Sequence, residues 1–277
     1  HNLKDYEASA KTFKTLLSKY PKCPHVAEAH LRIGDYYLRD NKDVVAAIEA
    51  YRAALNADAT GTFAGRAIKG LALARYAAKD YDAAAAQFLK LMTEYPDVEL
   101  NPDSYTWVAQ RFFDQKKWDE AATACAALLK AVPSYANPER VRFKIAECSD
   151  AAGKTDEAIA LYKAVVEAAP QSAVASDAKF RMAELFESNK KTDDAFALYE
   201  EVANSNTGEK AARARLRLGE LYEAKGDFDA AAKSYMRVAI LFLHEELSPE
   251  ALWRAGQCFE KAGSPEQAHK NYEELLR

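Results

Sequence analysis

One aromatic position recurs about every 37 residues, and that period constrains the fold more than any other feature of the chain. The slot is filled by Phe13, Tyr51, Phe88, Cys125, Tyr162, Tyr199, Tyr235 and Tyr272. Successive steps are 38, 37, 37, 37, 37, 36 and 37 residues. An alanine commonly stands four residues before the slot, as at Ala158, Ala195, Ala231 and Ala268. Pro21, Pro96, Pro133 and Pro170 follow it eight residues on, with Thr207 in the equivalent place of another unit.

Each period divides into two helical patterns. Ala211 to Ala224 has Leu216, Leu218, Leu221 and Tyr222 on or near one face, Gly226 and Asp227 interrupt, and Phe228 to Phe242 resumes helical spacing. The same break falls at Gly153, Lys190 and Gly263. Glycine suits it because closing a helix commonly needs positive φ. Proline at the far end stops the second helix, lacking the N–H that would continue it. The recurrent alanine lets two helices approach closely. The spacing predicts one leading helix over 1–20, then helix pairs over 24–58, 62–95, 99–132, 136–169, 173–205, 209–243 and 247–277. The expectation is all-α: about fifteen helices in one continuous α-solenoid over 1–277, each pair burying its apolar stripe against the next.

Composition narrows the function classes. With 49% hydrophobic residues the chain is not of the disordered type. Its 38 basic against 42 acidic residues, a net charge of −4, speak against a nucleic-acid partner. Residues 1–140 sum to +1 (19 basic, 18 acidic) and 141–277 to −5 (19 basic, 24 acidic). Cys23, Cys125, Cys148 and Cys258 are too scattered for a disulfide scaffold and form no CxxC pair. The longest apolar run, Val238 to Leu243, falls far short of the ~20 residues of a membrane span, so no membrane insertion is expected. His1 reads as a processed or engineered start. The first helix lacks its partner and the chain stops at Leu275, Leu276 and Arg277 without a capping helix. A solenoid end normally carries a polar cap, so the expectation is a fragment of a longer chain, or ends that meet another chain in an oligomer.

The pattern resembles the tetratricopeptide repeat. The sixth pair carries Leu218, Gly219, Tyr222, Gly226, Phe228, Ala231 and Tyr235; the seventh carries Gly256, Phe259, Gly263, Ala268 and Tyr272; the fourth carries Ala146, Gly153, Ala158, Tyr162 and Pro170. The third pair departs most, with Cys125 in the aromatic slot and Lys116 in place of the turn glycine. The first has an extra residue within 39–44. The resemblance implies a right-handed solenoid. The junctions Tyr20-Pro21-Lys22-Cys23-Pro24-His25 and Ala169-Pro170-Gln171-Ser172 are similar to a variant common in bacterial envelope proteins. These include the Tol-Pal-associated cell-division coordinator and the small lipoprotein of the outer-membrane β-barrel assembly machine. That likeness implies a periplasmic or cell-envelope adaptor, with the cytoplasm as the alternative.

By the same resemblance, the first helix of each pair lines a concave groove through its second, fifth, ninth and twelfth positions. The fifth is Phe143, Phe180, Leu216 and Trp253; the ninth is Glu147, Glu184, Glu220 and Gln257; the twelfth is Asp150, Glu187, Glu223 and Glu260. An apolar row beside an acidic row suits a basic, hydrophobic peptide, with burial as anchor and carboxylates as guides. The competing reading is that the acids are solvated surface and the fifth-position residues pack between neighbouring first helices. Arg66, Lys69, Tyr76 and Phe113 mark a second patch in the early pairs. The groove places of the carboxylate-clamp subtype hold mostly Glu or Asp here, against that subtype.

Catalytic readings are weak. His25 and His30 lack the HExxH spacing, His244 stands beside Glu245 and Glu246 in a turn, and Cys148 has no His in local register. The segment Gly61 to Gly70 lacks the phosphate-loop ending; Gly61 reads as a turn and Gly70 as helix packing. No cofactor or metal is expected. The sequence therefore points to a non-catalytic scaffold or adaptor for a protein or peptide. Glycan binding through Trp107, Trp118 and Trp253, or recruitment for a larger enzyme, are the alternatives.

Overall fold

A computed structural model describes residues 3–58, 60–205, 208–242 and 247–276. Thr207, the last residue of the Val238–Leu243 run, the His244 to Glu246 turn and Arg277 lie outside the described residues. Among the described residues all regular structure is helical: fifteen α-helices and one π-helical turn.

Contacts divide the chain into two compact units, His1–Ala152 and Gly153–Arg277. The first holds α1 (Leu3–Lys19), α2 (Val26–Tyr36) with the π-helical turn Tyr37–Asn41, and α3 (Val44–Ala57). It continues through α4 (Ala64–Ala77), α5 (Tyr81–Glu94), α6 (Pro102–Asp114), α7 (Trp118–Ala131) and α8 (Pro138–Ala151). The second holds α9 (Thr155–Ala168), α10 (Ala173–Ser188), α11 (Thr192–Ser205) and α12 (Glu209–Ala224). It closes with α13 (Phe228–Phe242), α14 (Leu247–Lys261) and α15 (Pro265–Leu275). Within each unit consecutive helices pack on one another, and first helices also meet across pairs: α2 with α4, α10 with α12, α12 with α14.

Local chemistry starts and stops the helices. Asp43, Asp80, Asn101, Ser172 and Asp227 each accept a backbone N–H from the first turn of the helix that follows. Pro102 opens α6, where its missing N–H costs nothing. Inside the pairs, the break residue is left-handed: Lys79, Lys116 and Lys190 at φ 61, 60 and 60, and Gly153, Gly226 and Gly263 at 74, 80 and 75. The break after α6 shows why lysine is accepted there. The amides of Lys116 and Lys117 donate to the carbonyls of Phe113 and Phe112, which satisfies the last turn of the helix. The extra residue of the first pair is absorbed in the π-helical turn Tyr37–Asn41, which ends on left-handed Lys42. A one-residue insertion in a helix is accommodated in just this way.

The aromatic slot is core. Tyr162, Tyr199 and Tyr235 are 0% exposed, Tyr51, Phe88 and Cys125 are buried, and Phe13 and Tyr272 are half-buried. Each ring needs a small residue opposite it. A Cβ on Gly70 or Gly219 would come within 2.3 Å of the Tyr51 ring or 2.4 Å of the Tyr235 ring. The alanines four residues before the slot, Ala158, Ala195, Ala231 and Ala268, are buried as well, where α-helices cross.

Tyr199→Ala should therefore lose about 3–5 kcal/mol, the range for truncating a large core aromatic. Tyr199→Phe should lose about 1.5–3 kcal/mol, for one hydrogen bond to the Glu187 carboxylate. Urea unfolding followed by far-ultraviolet circular dichroism separates the two, and equal losses would mean that the ring itself is not packed.

Candidate functional site

The first unit contains a cavity of about 650 Å³ bounded by α1, α2 with its π-helical turn, α3 and α4. Tyr6 and Phe13 face it from α1, Tyr36, Leu38, Arg39 and Asp40 from the α2 end, and Arg66, Lys69 and Leu73 from α4. Its charges are mixed. Arg32 pairs with Glu28 at 3.4 Å and Arg66 with Asp35 at 3.7 Å, both in exposed settings. Asp35 also accepts the Tyr51 hydroxyl at 2.9 Å, so one carboxylate links the core slot to the cavity wall. Burial first, then Asp35, raises the Tyr51 pKa above the usual phenol range. Tyr51 therefore stays a neutral donor.

Sequence spacing placed Arg66, Lys69, Tyr76 and Phe113 in one patch; the structure separates them. Arg66 and Lys69 line the cavity, and Lys69 reaches on to the Glu99 carbonyl. Tyr76 belongs to an aromatic cluster, 5.3 Å from Tyr81 and 5.1 Å from Trp107, which in turn meets Phe88. Phe113 packs on Trp118 at 4.8 Å and lies beneath the Lys144 ammonium at 3.4 Å. The cause is helical geometry: a residue on α4 and one on α6 share a register without sharing a neighbour. Trp107 and Trp118 are half-buried in these clusters, which leaves neither as an open platform for a sugar.

The twelve candidates from the later pairs fall in both units. Phe143, Glu147 and Asp150 are on α8, half-buried, with Glu147 held by Lys144 at 3.3 Å. In the second unit the ninth and twelfth positions do bring carboxylates onto first helices, but each has an internal partner. Glu184 pairs with Arg181 at 2.9 Å. Glu220 pairs with Arg217 and Arg254, both at 2.8 Å. Glu223 pairs with Lys261 at 2.7 Å. Glu187 and Glu223 also accept the hydroxyls of Tyr199 and Tyr235, at 2.8 and 3.4 Å, and Glu260 bonds Tyr272 in the same way. The twelfth-position acid is thus the partner of the buried slot tyrosine. Gln257 is half-buried on α14.

The fifth position needs a correction. Phe180 is only 5% exposed and sits in the core with Tyr199, Ala214 and Leu218; Lys210 of α12 lies over its ring. Leu216 packs against the next pair in the same way. These residues join neighbouring first helices. Trp253 holds the equivalent place on α14 and is 50% exposed beside Tyr272. Arg254, next to it, was not legible as a functional residue. It bridges Glu220 and Glu250 and lies over the Tyr235 ring at 5.9 Å. Burial works to lower its pKa, but Tyr235, Glu220 and Glu250 outweigh that and hold it above the ordinary guanidinium range.

Comparison with known proteins agrees with this geometry. Tetratricopeptide repeat family matches cover residues 2–62, 109–173, 150–209 and 180–249, and a second set covers 70–97 and 250–277. The chain belongs to the tetratricopeptide repeat family. No curated protein sequence matches it. A solved structure of the C-terminal part of a repeat-containing protein from Cytophaga hutchinsonii is similar, with a TM-score of 0.52 at 13% identity, covering 90% of this chain and 95% of that one. A solved MamA protein matches 63% of this chain and 90% of its own, at 20% identity and a TM-score of 0.49. At these identities the likeness concerns the fold alone.

Three thiols of this tetratricopeptide repeat chain, at Cys125, Cys148 and Cys258, are held protonated. Burial pushes Cys125 up to about 12, with the nearby Cys148 adding to it. Burial likewise pushes Cys148 and Cys258 to about 11. Among the described residues no group of three or more His, Cys, Asp and Glu is arranged to hold a metal ion, and no helix is long and apolar enough to cross a membrane.

A raised thiol pKa in the fold favours the neutral form. That stabilisation is complete below the ordinary thiol value of 9.0 and is lost as pH rises toward about 12. Urea midpoints should therefore fall between about pH 9 and pH 11, steepening with each titrating group. At pH 8, a thiol-counting reagent should find Cys23 in the folded protein and all four cysteines only after unfolding. Rapid native modification of Cys125 would contradict its placement.

Proposed function

We propose that this chain is a non-catalytic scaffold that holds a segment of a partner protein in the cavity of its first unit. The observation that carries the reading is the 650 Å³ cavity between α1, α2 and α4. Its size falls within the roughly 300–1,000 Å³ of natural ligand sites. It combines rings from Tyr6, Phe13 and Tyr36, the apolar Leu73, and exposed cations from Arg32, Arg39 and Arg66. The π-helical turn supplies part of its wall, and such turns recur at functional sites. Rings anchor a segment by burial, while rim charges that are only loosely paired select and orient it.

The carboxylates of the second unit give a narrower role to a basic, hydrophobic segment. Such a segment would exchange partners with Arg181, Arg217, Arg254 and Lys261, so these acids contribute orientation more than affinity. A periplasmic or cell-envelope setting belongs to the same proposal and is supported by the junction sequences around Tyr20-Pro21 and Ala169-Pro170.

Peptides selected from a random display library on the full chain provide the test. The double variant Arg66→Glu, Leu73→Arg alters two cavity-wall residues outside the core and should weaken the selected peptides by about tenfold or more in calorimetric titration. Glu184→Gln should change affinity less than about threefold, as for an exposed ion pair. Peptides that bind the double variant as tightly as the original chain would reject the cavity as the site.

A further inference from the structure

The third pair breaks the repeat at its most buried position, and the structure shows what that break leaves behind. In the first pair the Tyr51 ring lies between Gly34 of its own first helix and Gly70 of the next. Counting from Cys125 sixteen back, as from Tyr235 to Gly219, and nineteen on, as from Tyr51 to Gly70, reaches Ala109 and Lys144. Cysteine has no ring to place between them. A pocket of about 390 Å³ occurs at this place, lined by Ala109, Cys125 and Lys144 together with Tyr105, Leu128 and Arg140.

Three properties of the pocket define an occupant. Its floor is apolar, from Leu128, Val141, Ala109 and the protonated Cys125 thiol. Its lining includes two cations, Arg140 and Lys144, and no carboxylate. Lys144 is held by Glu147 and Phe113, whereas Arg140 is exposed and has no ion-pair partner among the described residues. Tyr105 is buried in the wall, and its hydroxyl has no protein hydrogen-bond partner among the described residues.

We propose that the Cys125 pocket is a second binding site, separate from the α1–α4 cavity, for an aromatic ring that carries a carboxylate. The ring takes the place that the slot aromatic holds in the other pairs, between Ala109 and the Lys144 stem. The carboxylate meets Arg140 at the mouth, and the Tyr105 hydroxyl donates to a polar atom on the ligand. The ring stabilises binding through burial, and the guanidinium selects the anion by a charge-assisted hydrogen bond.

Two probes distinguish the source of the group: free 3-(4-hydroxyphenyl)propionate, and the blocked dipeptide acetyl-Tyr-Asp-amide. Binding is read on the full chain from amide and methyl chemical shifts. Saturable shifts at Ala109, Leu128 and Val141 are expected with at least one probe. The free acid alone would indicate a small-molecule ligand, and the dipeptide a peptide-borne one. Cys125→Phe fills the slot as Phe88 does, and should abolish the shifts while keeping or raising the unfolding midpoint. Arg140→Glu leaves the pocket open and should weaken binding about tenfold or more. Absence of saturable shifts with both probes, or unchanged binding in both variants, would overturn the proposal. Peptides selected for the α1–α4 cavity should bind Cys125→Phe normally, so failure here is separable from failure of the scaffold reading.

Discussion

The structure depends on one repeated contact: a large ring in the second helix of a pair lies against a small residue of a first helix. Tyr51 against Gly34 and Gly70, and Tyr235 against Gly219, show how little room is left. Helices approach this closely only where a side chain is missing, so the ring and the glycine or alanine opposite it form a single packing element. Burying a tyrosine brings its hydroxyl along, and that group needs an acceptor. Asp35, Glu187, Glu223 and Glu260 supply it from the first helices. The acids that mark the repeat surface are thereby tied to its core.

That tie changes how the charge pattern is read. A column of carboxylates on successive first helices looks like a surface built for a cation, and its net charge of −5 over residues 141–277 supports that view in one dimension. In three dimensions Arg181, Arg217, Arg254 and Lys261 lie beside the same acids. These pairs are partly exposed, where ion pairs contribute little to stability. Their consequence is local neutralisation: an approaching basic segment meets a balanced surface.

The two larger cavities described above both lie where the repeat is irregular. The extra residue of the first pair becomes a π-helical turn that walls the 650 Å³ cavity. Cys125, the one slot residue without a ring, coincides with the 390 Å³ pocket. A regular solenoid fills its own interior, since every pair is shaped to cover the next. Departures from the period interrupt that filling.

Much of the fold was legible in one dimension because the signals are local. A 37-residue period, breaks at Gly153, Lys190, Gly226 and Gly263 that are left-handed in the structure, and prolines or capping residues at several boundaries specify helix pairs without any knowledge of packing. The burial of the slot aromatics follows from the same pattern. Register alone did not decide which first-helix residues face a partner. Phe180 and Trp253 hold equivalent positions, yet one is core and the other half exposed: Ala214 and Leu218 of α12 pack with Phe180, while Trp253 stands beside Tyr272. Arg66 and Tyr76 shared a predicted patch and occupy different surroundings, since their neighbours come from α1 and α2 in one case and α6 in the other. Sequence determined what each segment becomes, through interactions a few residues long. Only the tertiary structure decided which charges are cancelled and where empty space remains, because both depend on side chains brought together from distant repeats.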